Sequence, residues 1–390
     1  MRLPLVLLLL VAVASGRSAE RPLPEVIRDS FATAAKQYEW LLPRLPADGS
    51  LPRTFEHGKL VTTTARDWTR GFFPGSLWYL FEATGEKRWR QEAERFTALL
   101  ESDQHNNWTH DVGFILNCSY GNGLRLTGNP AYRPVLLNGA RALSTRFSPA
   151  VGSLLSWNPR NGWKFPVIVD NMMNLELLLW AAREQPDGPF REIAVRHADT
   201  TLANHFRPDG SSVHVVDYDP ATGRVVTRVT HQGVADDSAW ARGQAWGLYG
   251  YVVMYRETKD PRYLAQARKI AAFIMNHPRL PADKVPYWDF DDPRIPNAPR
   301  DTSAAAIICS ALLELRTFVP AEEAARYAAF AEAQLRSLAS PAYLAETGAN
   351  GGFILMHATG NHPKNSEVDT PLNYGDYYFL EALLRARALK

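Results

Sequence analysis

The amino-acid sequence predicts an all-α protein built from paired helices. Apolar residues recur at helical spacing along most of the chain, signals for β-strands are sparse, and similar turn sequences separate consecutive helical segments. The periodicity predicts twelve helices, near residues 23–43, 70–84, 88–104, 112–127, 132–147, 171–184, 189–205, 237–258, 261–276, 302–317, 321–338 and 370–388.

A degenerate turn motif joins helices into pairs. Residues 84–89, 127–132 and 258–263 each contain turn-forming residues followed by an aromatic side chain that can pack on the start of the next helix. Segments 186–190 and 319–320 occupy comparable places. Helical hairpins at this period form either an open solenoid or a closed toroid, and six pairs is the number that closes a toroid with parallel inner helices.

The clearest strand signals flank a short turn. Residues 212–217 and 224–230 read as strands, and residues 218–223 between them contain Asp219, Pro220 and Gly223, which favour a turn. The sequence therefore predicts one small β-hairpin inserted into the helical fold.

Composition favours a folded globular protein without a general affinity for nucleic acid. Of 390 residues, 46% are hydrophobic and 22% charged, which excludes a disordered chain. The net charge of +2 provides no field for binding a polyanion along its length. The 11 Trp, 15 Tyr and 17 Phe suit both a large core and platforms for sugar rings. Cys118 and Cys309 lie in apolar surroundings, which favours buried free thiols over a disulfide or a metal site.

The N-terminus has the pattern of a secretory signal peptide. Arg2 precedes an apolar run from Leu3 to Val13, and small residues follow as far as Ala19. The run is shorter than the roughly 20 residues that a membrane-spanning helix needs. We therefore predict a signal peptide over residues 1–19, a single domain of paired helices over residues 20–390, a periplasmic or secreted location and no membrane anchor.

An aspartate precedes each of the even-numbered predicted helices. These aspartates are Asp67, Asp111, Asp170, Asp236 or Asp237, Asp301 and Asp369. Aspartate is a favoured N-cap because its carboxylate accepts hydrogen bonds from free backbone N–H groups, so we expect most of the six to be caps. If these helices form an inner ring, their N-termini also meet at one mouth. A cavity rimmed by carboxylates and aromatic rings suits carbohydrate chemistry.

Three of these helix starts contain more polar residues than capping requires. They are residues 107–114 with His110 and Asp111, residues 168–174 with Asp170, and residues 231–246 with Gln232, Arg242 and Trp246. Arg242 and Trp246 are four residues apart and share a helix face. This pair suits binding of a carboxylate beside a flat ring, and the alternative is an Arg–Asp pair packed on an aromatic side chain.

In combination, three motifs resemble family 88 of the glycoside hydrolases, the unsaturated glucuronyl hydrolases. The motifs are His110-Asp111-Val-Gly-Phe, Val169-Asp170-Asn171-Met-Met-Asn and Trp240-Ala-Arg242-Gly-Gln-Ala-Trp246-Gly, and their order agrees with that of the family. The resemblance extends from about residue 21 to the segment that begins at Tyr374. It implies a six-hairpin (α/α)6 toroid and an enzyme that needs neither a metal nor an organic cofactor.

The resemblance also implies a reaction. Such enzymes remove the 4,5-unsaturated uronic acid that polysaccharide lyases leave at the non-reducing end of oligosaccharides. The reaction is hydration of a vinyl ether: an acid protonates C4, positive charge develops at C5, and water adds there. The resulting hemiketal opens and collapses, and this releases the saturated sugar and a keto-acid.

Residue roles follow from the same resemblance. Asp170 matches the general acid that protonates C4 and then helps to activate water, and Asp111 matches a second essential carboxylate. The matched substrate-binding positions are His110 beside Asp111, His214 and Gln232 near the acid and water, Arg242 and Trp246 around the unsaturated ring, and Trp68 as a stacking residue. The implied partners are unsaturated uronate-terminated oligosaccharides, and no nucleic acid, membrane or protein partner is implied.

Alternatives are open at this point. An unsaturated rhamnogalacturonyl hydrolase would share part of the pattern. A sugar epimerase would share the toroid but uses a pair of histidines that we do not find, and a non-catalytic glycan-binding protein would not need the carboxylates. Some family members that process sulfated glycosaminoglycan fragments carry Ser-x-x-Ser-x-Lys near the C-terminus. Residues 357–364 lack both serines and displace the lysine, which argues against tight sulfate recognition and leaves the plus-subsite sugar open.

Overall fold

Helices account for most of the secondary structure in the computed structural model, which describes residues 21–388. They are α1 (Leu23–Leu41), α2 (Phe72–Thr84), α3 (Lys87–Ala98), α4 (Val112–Leu116), α5 (Asn122–Thr127), α6 (Tyr132–Ser144), α7 (Leu175–Glu184), α8 (Phe190–Asn204), α9 (Ala241–Thr258), α10 (Pro261–Asn276), α11 (Thr302–Leu315), α12 (Ala321–Leu338) and α13 (Asn373–Arg387). A π-helical stretch, Asn117–Gly121, joins α4 to α5, so the two occupy the single predicted range 112–127. The predicted signal peptide, residues 1–19, lies outside the described residues.

The inner helices form a closed ring. Packing contacts run from α2 through the α4–α5 segment to α7, and then through α9 and α11 to α13, which returns to α2. This closure excludes the open solenoid and confirms the all-α six-hairpin (α/α)6 toroid.

Burial separates the inner helices from the outer ones. In α11 every residue except Glu314 is buried, as a helix surrounded by other helices requires. In α10 the buried residues form one stripe that includes Tyr263, Ala267 and Ile270, and the opposite face is solvated.

The repeated turn motif is a helix C-cap followed by a helix start. Gly85, Gly128 and Lys259 follow α2, α5 and α9 in left-handed conformation, with φ of 71°, 67° and 60°. Glycine adopts this conformation without a steric penalty and ends a helix efficiently. The aromatic residues that follow pack inward, and Trp89 and Tyr263 are fully buried.

Short strands precede several inner helices. They are β1 (Pro52–Glu56), β2 (Lys59–Thr62), β3 (Phe147–Ser148), β4 (Ser153–Leu154), β5 (Pro166–Ile168), β6 (Val215–Tyr218), β7 (Val225–Val229), β8 (Ala358–Asn361) and β9 (Ser366–Thr370). The predicted hairpin is β6–β7, and β5 extends it to a three-stranded antiparallel sheet. The hairpins β1–β2, β3–β4 and β8–β9 were not predicted, so the expectation of a single hairpin was incomplete.

One large hydrophobic cluster extends from Ile27 in α1 to Ala386 in α13, and a smaller one lies beneath the three-stranded sheet. Cys118 and Cys309 are buried free thiols, as predicted. No helix within residues 21–388 is both long and apolar enough to cross a membrane. The assignment of residues 20–390 to one domain stays a prediction.

Candidate active site

Two of the six aspartates cap helices. The side chain of Asp67 accepts a hydrogen bond from Thr69 N at the start of a 3-10 turn that leads into α2. The side chain of Asp301 accepts from Ser303 N and Ala304 N at the start of α11. These two carboxylates compensate free N–H groups at helix N-termini, as expected.

The other aspartates correct the expectation that most are caps. Asp236 and Asp237 are exposed, and α9 begins only at residue 241. Asp369 lies in β9 and is also exposed. Asp111 and Asp170 stand at inner-helix starts but accept no capping hydrogen bond. The two uncapped, buried carboxyl groups are therefore the two that sequence analysis places in catalysis.

Asp170 is a buried carboxyl group in the short 3-10 turn between β5 and α7. The turn is fixed by a hydrogen bond from Val169 N to His214 O. Asp170 is 8% exposed. Burial raises the pKa of Asp170 to about 7; the positive charge of Arg242 opposes this rise and the negative charge of Asp111 adds to it. Its Oδ2 is buried and has no hydrogen-bond partner among the described residues, so it is free to act on a ligand.

A neutral imidazole faces this carboxyl group. Nδ1 of His214 accepts hydrogen bonds from the backbone N–H groups of His231 and Gln232, each at 3.1 Å. These bonds assign the ring proton to Nε2, which lies 3.7 Å from Asp170 Oδ2. Burial lowers the pKa of His214 well below its ordinary value. His214 is thus a neutral N–H donor directed into the space beside Asp170.

Asp111 has different surroundings from Asp170. Its Oδ2 accepts a hydrogen bond of 2.5 Å from Thr109 Oγ1, and its Oδ1 lies 3.4 Å from His110 Nε2. Burial lowers the pKa of His110, and the charge of Asp111 opposes that lowering. One carboxyl group is held by a hydroxyl donor and the other has a free buried oxygen, which favours a proton on Asp170.

The guanidinium of Arg242 is already engaged. It is 1% exposed, and Nη1 donates to Asp301 Oδ2 at 2.9 Å. Its Cζ lies 4.6 Å from the ring centroid of Trp240 and 5.4 Å from that of Tyr374. This is the buried Arg–Asp pair on aromatic rings that sequence analysis left as the alternative. Arg242 still contributes a positive charge to the surroundings of Asp170.

Arg242 and Gln232 also hold the β8–β9 hairpin. Arg242 donates to the carbonyl oxygens of Thr359 and Gly360. Gln232 Nε2 donates to the same Gly360 carbonyl at 3.0 Å. The backbone N–H of Gln232 lies near the acid, because it donates to His214 Nδ1. Its side chain points away from the acid, to the β8–β9 hairpin.

Trp246 and Trp68 belong to one aromatic cluster. We expected Trp246 to present a ring face, but the ring is fully buried and packs on Phe114 with centroids 5.1 Å apart. Its indole N–H has no hydrogen-bond partner of normal geometry among residues 21–388, yet it lies near enough to Asp170 to lower the pKa of that carboxyl group slightly. Trp68 is partly exposed and lies 5.1 Å from the ring of Tyr374.

Sequence reasoning missed an aromatic and cationic rim next to His214. The rings of Trp157 and Trp163 stack with centroids 6.1 Å apart, and His231 lies 5.1 Å from Trp157. The guanidinium of Arg160 lies over Trp157 at 3.7 Å. The available signal was the pair of tryptophans on either side of a turn-forming Pro-Arg-Asn-Gly segment. Within residues 21–388, no group of three or more His, Cys, Asp or Glu side chains is arranged to hold a metal ion.

Comparison with known proteins establishes the family. The sequence model of Glycosyl Hydrolase Family 88 matches residues 47–383. An unsaturated glucuronyl hydrolase of Formosa agariphila is 50% identical over 327 residues, which cover 83% of this chain and 81% of that protein. A crystal structure of an unsaturated glucuronyl hydrolase specific for heparin has a TM-score of 0.90 and 50% identity, with 93% of this chain and 97% of that chain covered. A mutant of the Streptococcus agalactiae unsaturated glucuronyl hydrolase complexed with dGlcA-GalNAc6S has a TM-score of 0.80 and 28% identity, with 94% of this chain and 93% of that chain covered. The chain belongs to glycosyl hydrolase family 88.

Proposed function

We propose that this chain is an unsaturated glucuronyl hydrolase that removes 4,5-unsaturated glucuronic acid from the non-reducing end of glycosaminoglycan-derived oligosaccharides. The observation that carries the proposal is Asp170, a buried and uncapped carboxyl group with a pKa of about 7 that shares its site with Asp111. A carboxylic acid that keeps its proton near neutral pH can donate it to an alkene carbon. The 50% identity to enzymes of this activity supports the assignment.

In the first step Asp170 transfers its proton to C4. The π electrons of the C4=C5 bond form the new C–H bond, and positive charge develops at C5, shared with the ring oxygen. Asp170 becomes a carboxylate close to this charge. Asp111, held by Thr109 and adjacent to His110, supplies a second negative group in a water-poor site.

In the second step water adds to C5. The Asp170 carboxylate accepts one proton of the water, and the Nε2–H of His214 orients the water oxygen. The hemiketal opens at the bond between C5 and the ring oxygen, which stays on C1 as a hydroxyl group. C1 then expels the saturated sugar as an alcohol, and the uronic acid leaves as an open-chain keto-acid.

The remaining predicted residues bind the substrate or hold the site in shape during these two steps. We assign His110 and His214 to the side that holds acid and water, and Trp68 to stacking at the partly exposed edge of the aromatic cluster. Gln232 orients His214 through its backbone N–H and holds the β8–β9 hairpin through its side chain. Arg242 contributes charge and holds the wall of the site, and Trp246 contributes its indole N–H rather than its ring face.

The substrate class is tested by the ultraviolet absorbance of the conjugated carboxylate in unsaturated disaccharides. The proposal predicts loss of this absorbance with release of the saturated sugar, and no turnover of saturated glucuronides. Turnover of saturated glucuronides alone would contradict it. Turnover of unsaturated rhamnogalacturonan fragments alone would establish the rival hydrolase, and binding without turnover would establish a glycan-binding protein.

We further propose that the plus subsite accepts a sugar with an anionic group. Burial, together with the positive charges of Lys364 and Arg160, lowers the pKa of His231 to about 4, so a neutral ring lies near two cationic side chains at this rim. These cations offer an alternative to the missing serines of the sulfate motif. A relative with 50% identity is described as specific for heparin.

Matched unsaturated disaccharides with and without sulfate test this subsite. Arg160→Ala and Lys364→Ala should each lower kcat/KM about tenfold for the sulfated substrate and much less for the unsulfated one. Lys36→Ala on the exposed face of α1 is the control. Equal losses on both substrates would argue against recognition of the anion by this rim.

The N-terminal pattern supports a proposal about location. We propose that residues 1–19 direct export and that the mature enzyme acts in the periplasm or outside the cell. N-terminal sequencing of protein from fractionated cells should find a start between residues 15 and 20. Full-length protein confined to the cytoplasm would contradict export.

A further inference from the structure

Arg146 is a buried cation whose hydrogen bonds go to uncharged groups. Among the described residues, Arg146 and Arg242 are the buried arginines, at 7% and 1% exposure. Arg242 pairs with Asp301, whereas no carboxylate oxygen of residues 21–388 lies within ion-pair distance of Arg146. A buried arginine that lacks such a partner is unfavourable unless other groups compensate its charge.

The compensation comes from two loops of the active site. Arg146 Nη1 donates to Asn107 O at 2.6 Å, in the loop that leads to Asp111. On the other side, Nε donates to Leu155 O at 2.7 Å and Nη2 to Ser156 O at 3.2 Å. Longer contacts of 3.4 Å reach Asn158 Oδ1, in the loop that carries Trp157. One planar guanidinium thus connects the loop of a catalytic carboxylate to the loop of the aromatic rim.

The charge of this group also reaches the site. Burial lowers the pKa of Arg146 to about 10, and the negative charge of Asp111 opposes the lowering. Arg146 therefore stays positively charged at neutral pH. Burial is the main cause of the lowered pKa of His110. The positive charges of Arg146 and Arg160 lower this pKa further, whereas the negative charge of Asp111 raises it. Thr109 and Asp170 complete the polar groups around Asp111.

We propose that Arg146 is a positioning residue for the reaction: its guanidinium holds the Asp111 loop against the Trp157 loop and keeps a positive charge that interacts with Asp111. This inference rests on the proposed hydrolase function. A lysine keeps the charge but donates from a single nitrogen, so it cannot replace the three separate nitrogens with which Arg146 reaches Asn107 on one side and Leu155 and Ser156 on the other. A glutamine loses the charge as well as the bridge.

The experiment compares Arg146→Lys and Arg146→Gln with the parent on an unsaturated disaccharide. Arg146→Lys should lower kcat about tenfold and Arg146→Gln about 100-fold, with KM changed by less than about threefold in both, since misplacement by about 1 Å has effects of this size. Arg141→Gln is the matched control, because Arg141 is an exposed arginine of α6, the helix that ends two residues before Arg146, and it bonds to Asn138 and Gln185. Its kcat should equal that of the parent.

Thermal unfolding and binding of the saturated product give the folded fraction of each variant. A purely structural role would lower the melting temperature and the folded fraction but leave kcat per folded enzyme unchanged, and that result would overturn the inference. If Arg146→Gln does not fold, Arg146→Lys decides, because a parental kcat in that variant also overturns it. An inactive parent would instead refute the proposed function on which the inference rests.

Discussion

At the scale of single residues, the carboxyl groups of Asp111 and Asp170 have different hydrogen-bonding environments within one site. Thr109 holds Asp111, whereas a free oxygen of Asp170 faces the neutral ring of His214. The motifs around these aspartates marked them as catalytic candidates among the six. Their position before a helix is also that of a cap such as Asp301, so position alone could not exclude a capping role. Only the absence of a capping bond in the folded chain separates them.

Substitution of the acid, Asp170, should stop proton transfer to C4. Asp170→Asn should lower kcat by about 10³-fold or more, since the amide has no proton of suitable acidity, while binding of the disaccharide is retained. Single-turnover absorbance measurements and calorimetric titration check the two effects. Asp237→Asn, at an exposed position, is the control. A variant with more than a tenth of the parental kcat would show that another group protonates C4.

The raised pKa of Asp170 predicts the pH dependence of the reaction. The acid must hold its proton, and its pKa is about 7, so kcat/KM should be high below this value and fall as the pH rises through it. The expected decline is about tenfold per pH unit well above the pKa. Initial rates between pH 5.5 and 9 measure it. A profile that is flat or rises across this range would be incompatible with Asp170 as the proton donor.

At the scale of elements, the β8–β9 hairpin could not be predicted from local sequence patterns. His357, Asn365, Glu367 and Asp369 all have positive φ in this short region, a conformation that side chains other than glycine rarely adopt. The strand Ala358–Asn361 also lacks an alternating apolar pattern. Its position depends on Arg242 and Gln232, which are distant in sequence. By contrast, the twelve helices were predictable because their apolar periodicity and their turn residues are local.

The Arg242–Asp301 pair that supports this hairpin predicts a graded loss of stability. Asp301→Ala removes the α11 cap and leaves Arg242 buried without its partner, and breaking a buried pair in this way costs about 3–5 kcal/mol. Asp301→Asn keeps a capping oxygen, so its loss should be about half as large. Urea unfolding followed by tryptophan fluorescence gives both values. Losses below about 1 kcal/mol in both variants would mean that the pair does not stabilise the fold.

At the scale of the whole molecule, the two ends of the toroid differ in chemistry. The N-terminal ends of the inner helices carry Asp111, Asp170 and the aromatic rim. The C-terminal ends surround a cavity of about 750 Å³ in which arginines and glutamates pair with one another, including Arg125 with Glu82 and Arg256 with Glu176. Arginines near helix C-termini also complement the helix dipole. Ring closure brings these residues together through contacts between α13 and α2, which no local pattern could establish.

Buried histidines predict that the folded enzyme loses stability in mild acid. His110, His197, His205 and His214 are fully buried, and burial lowers the pKa of each, to about 3 for His197 and about 4 for His205. Histidines of the unfolded chain take up protons below about pH 6.5, whereas the buried ones do so only at lower pH. Their contribution to the free energy of unfolding therefore falls as the pH falls.

Two buried carboxyl groups have the opposite effect on the free energy of unfolding, which they raise as the pH falls. Asp170 and Asp376 hold their protons up to about pH 7 when folded, whereas unfolded aspartates release theirs above about pH 3.9. Four histidines outweigh two carboxyl groups. The free energy of unfolding should therefore fall by about 1–3 kcal/mol per unit between pH 6 and 5. Urea unfolding at these pH values measures it, and stability that is constant or higher at pH 5 would contradict the assignment of neutral buried rings.

The proposed reaction adds a proton to C4 of an alkene and does not displace the sugar at C1. Turnover of an unsaturated disaccharide in heavy water, followed by nuclear magnetic resonance of the uronic product, distinguishes the two routes. We predict one deuterium on C4 of the released keto-acid, because Asp170 exchanges its proton with solvent before each transfer. A product that has gained no deuterium at C4, with the double bond intact at release, would contradict the hydration mechanism.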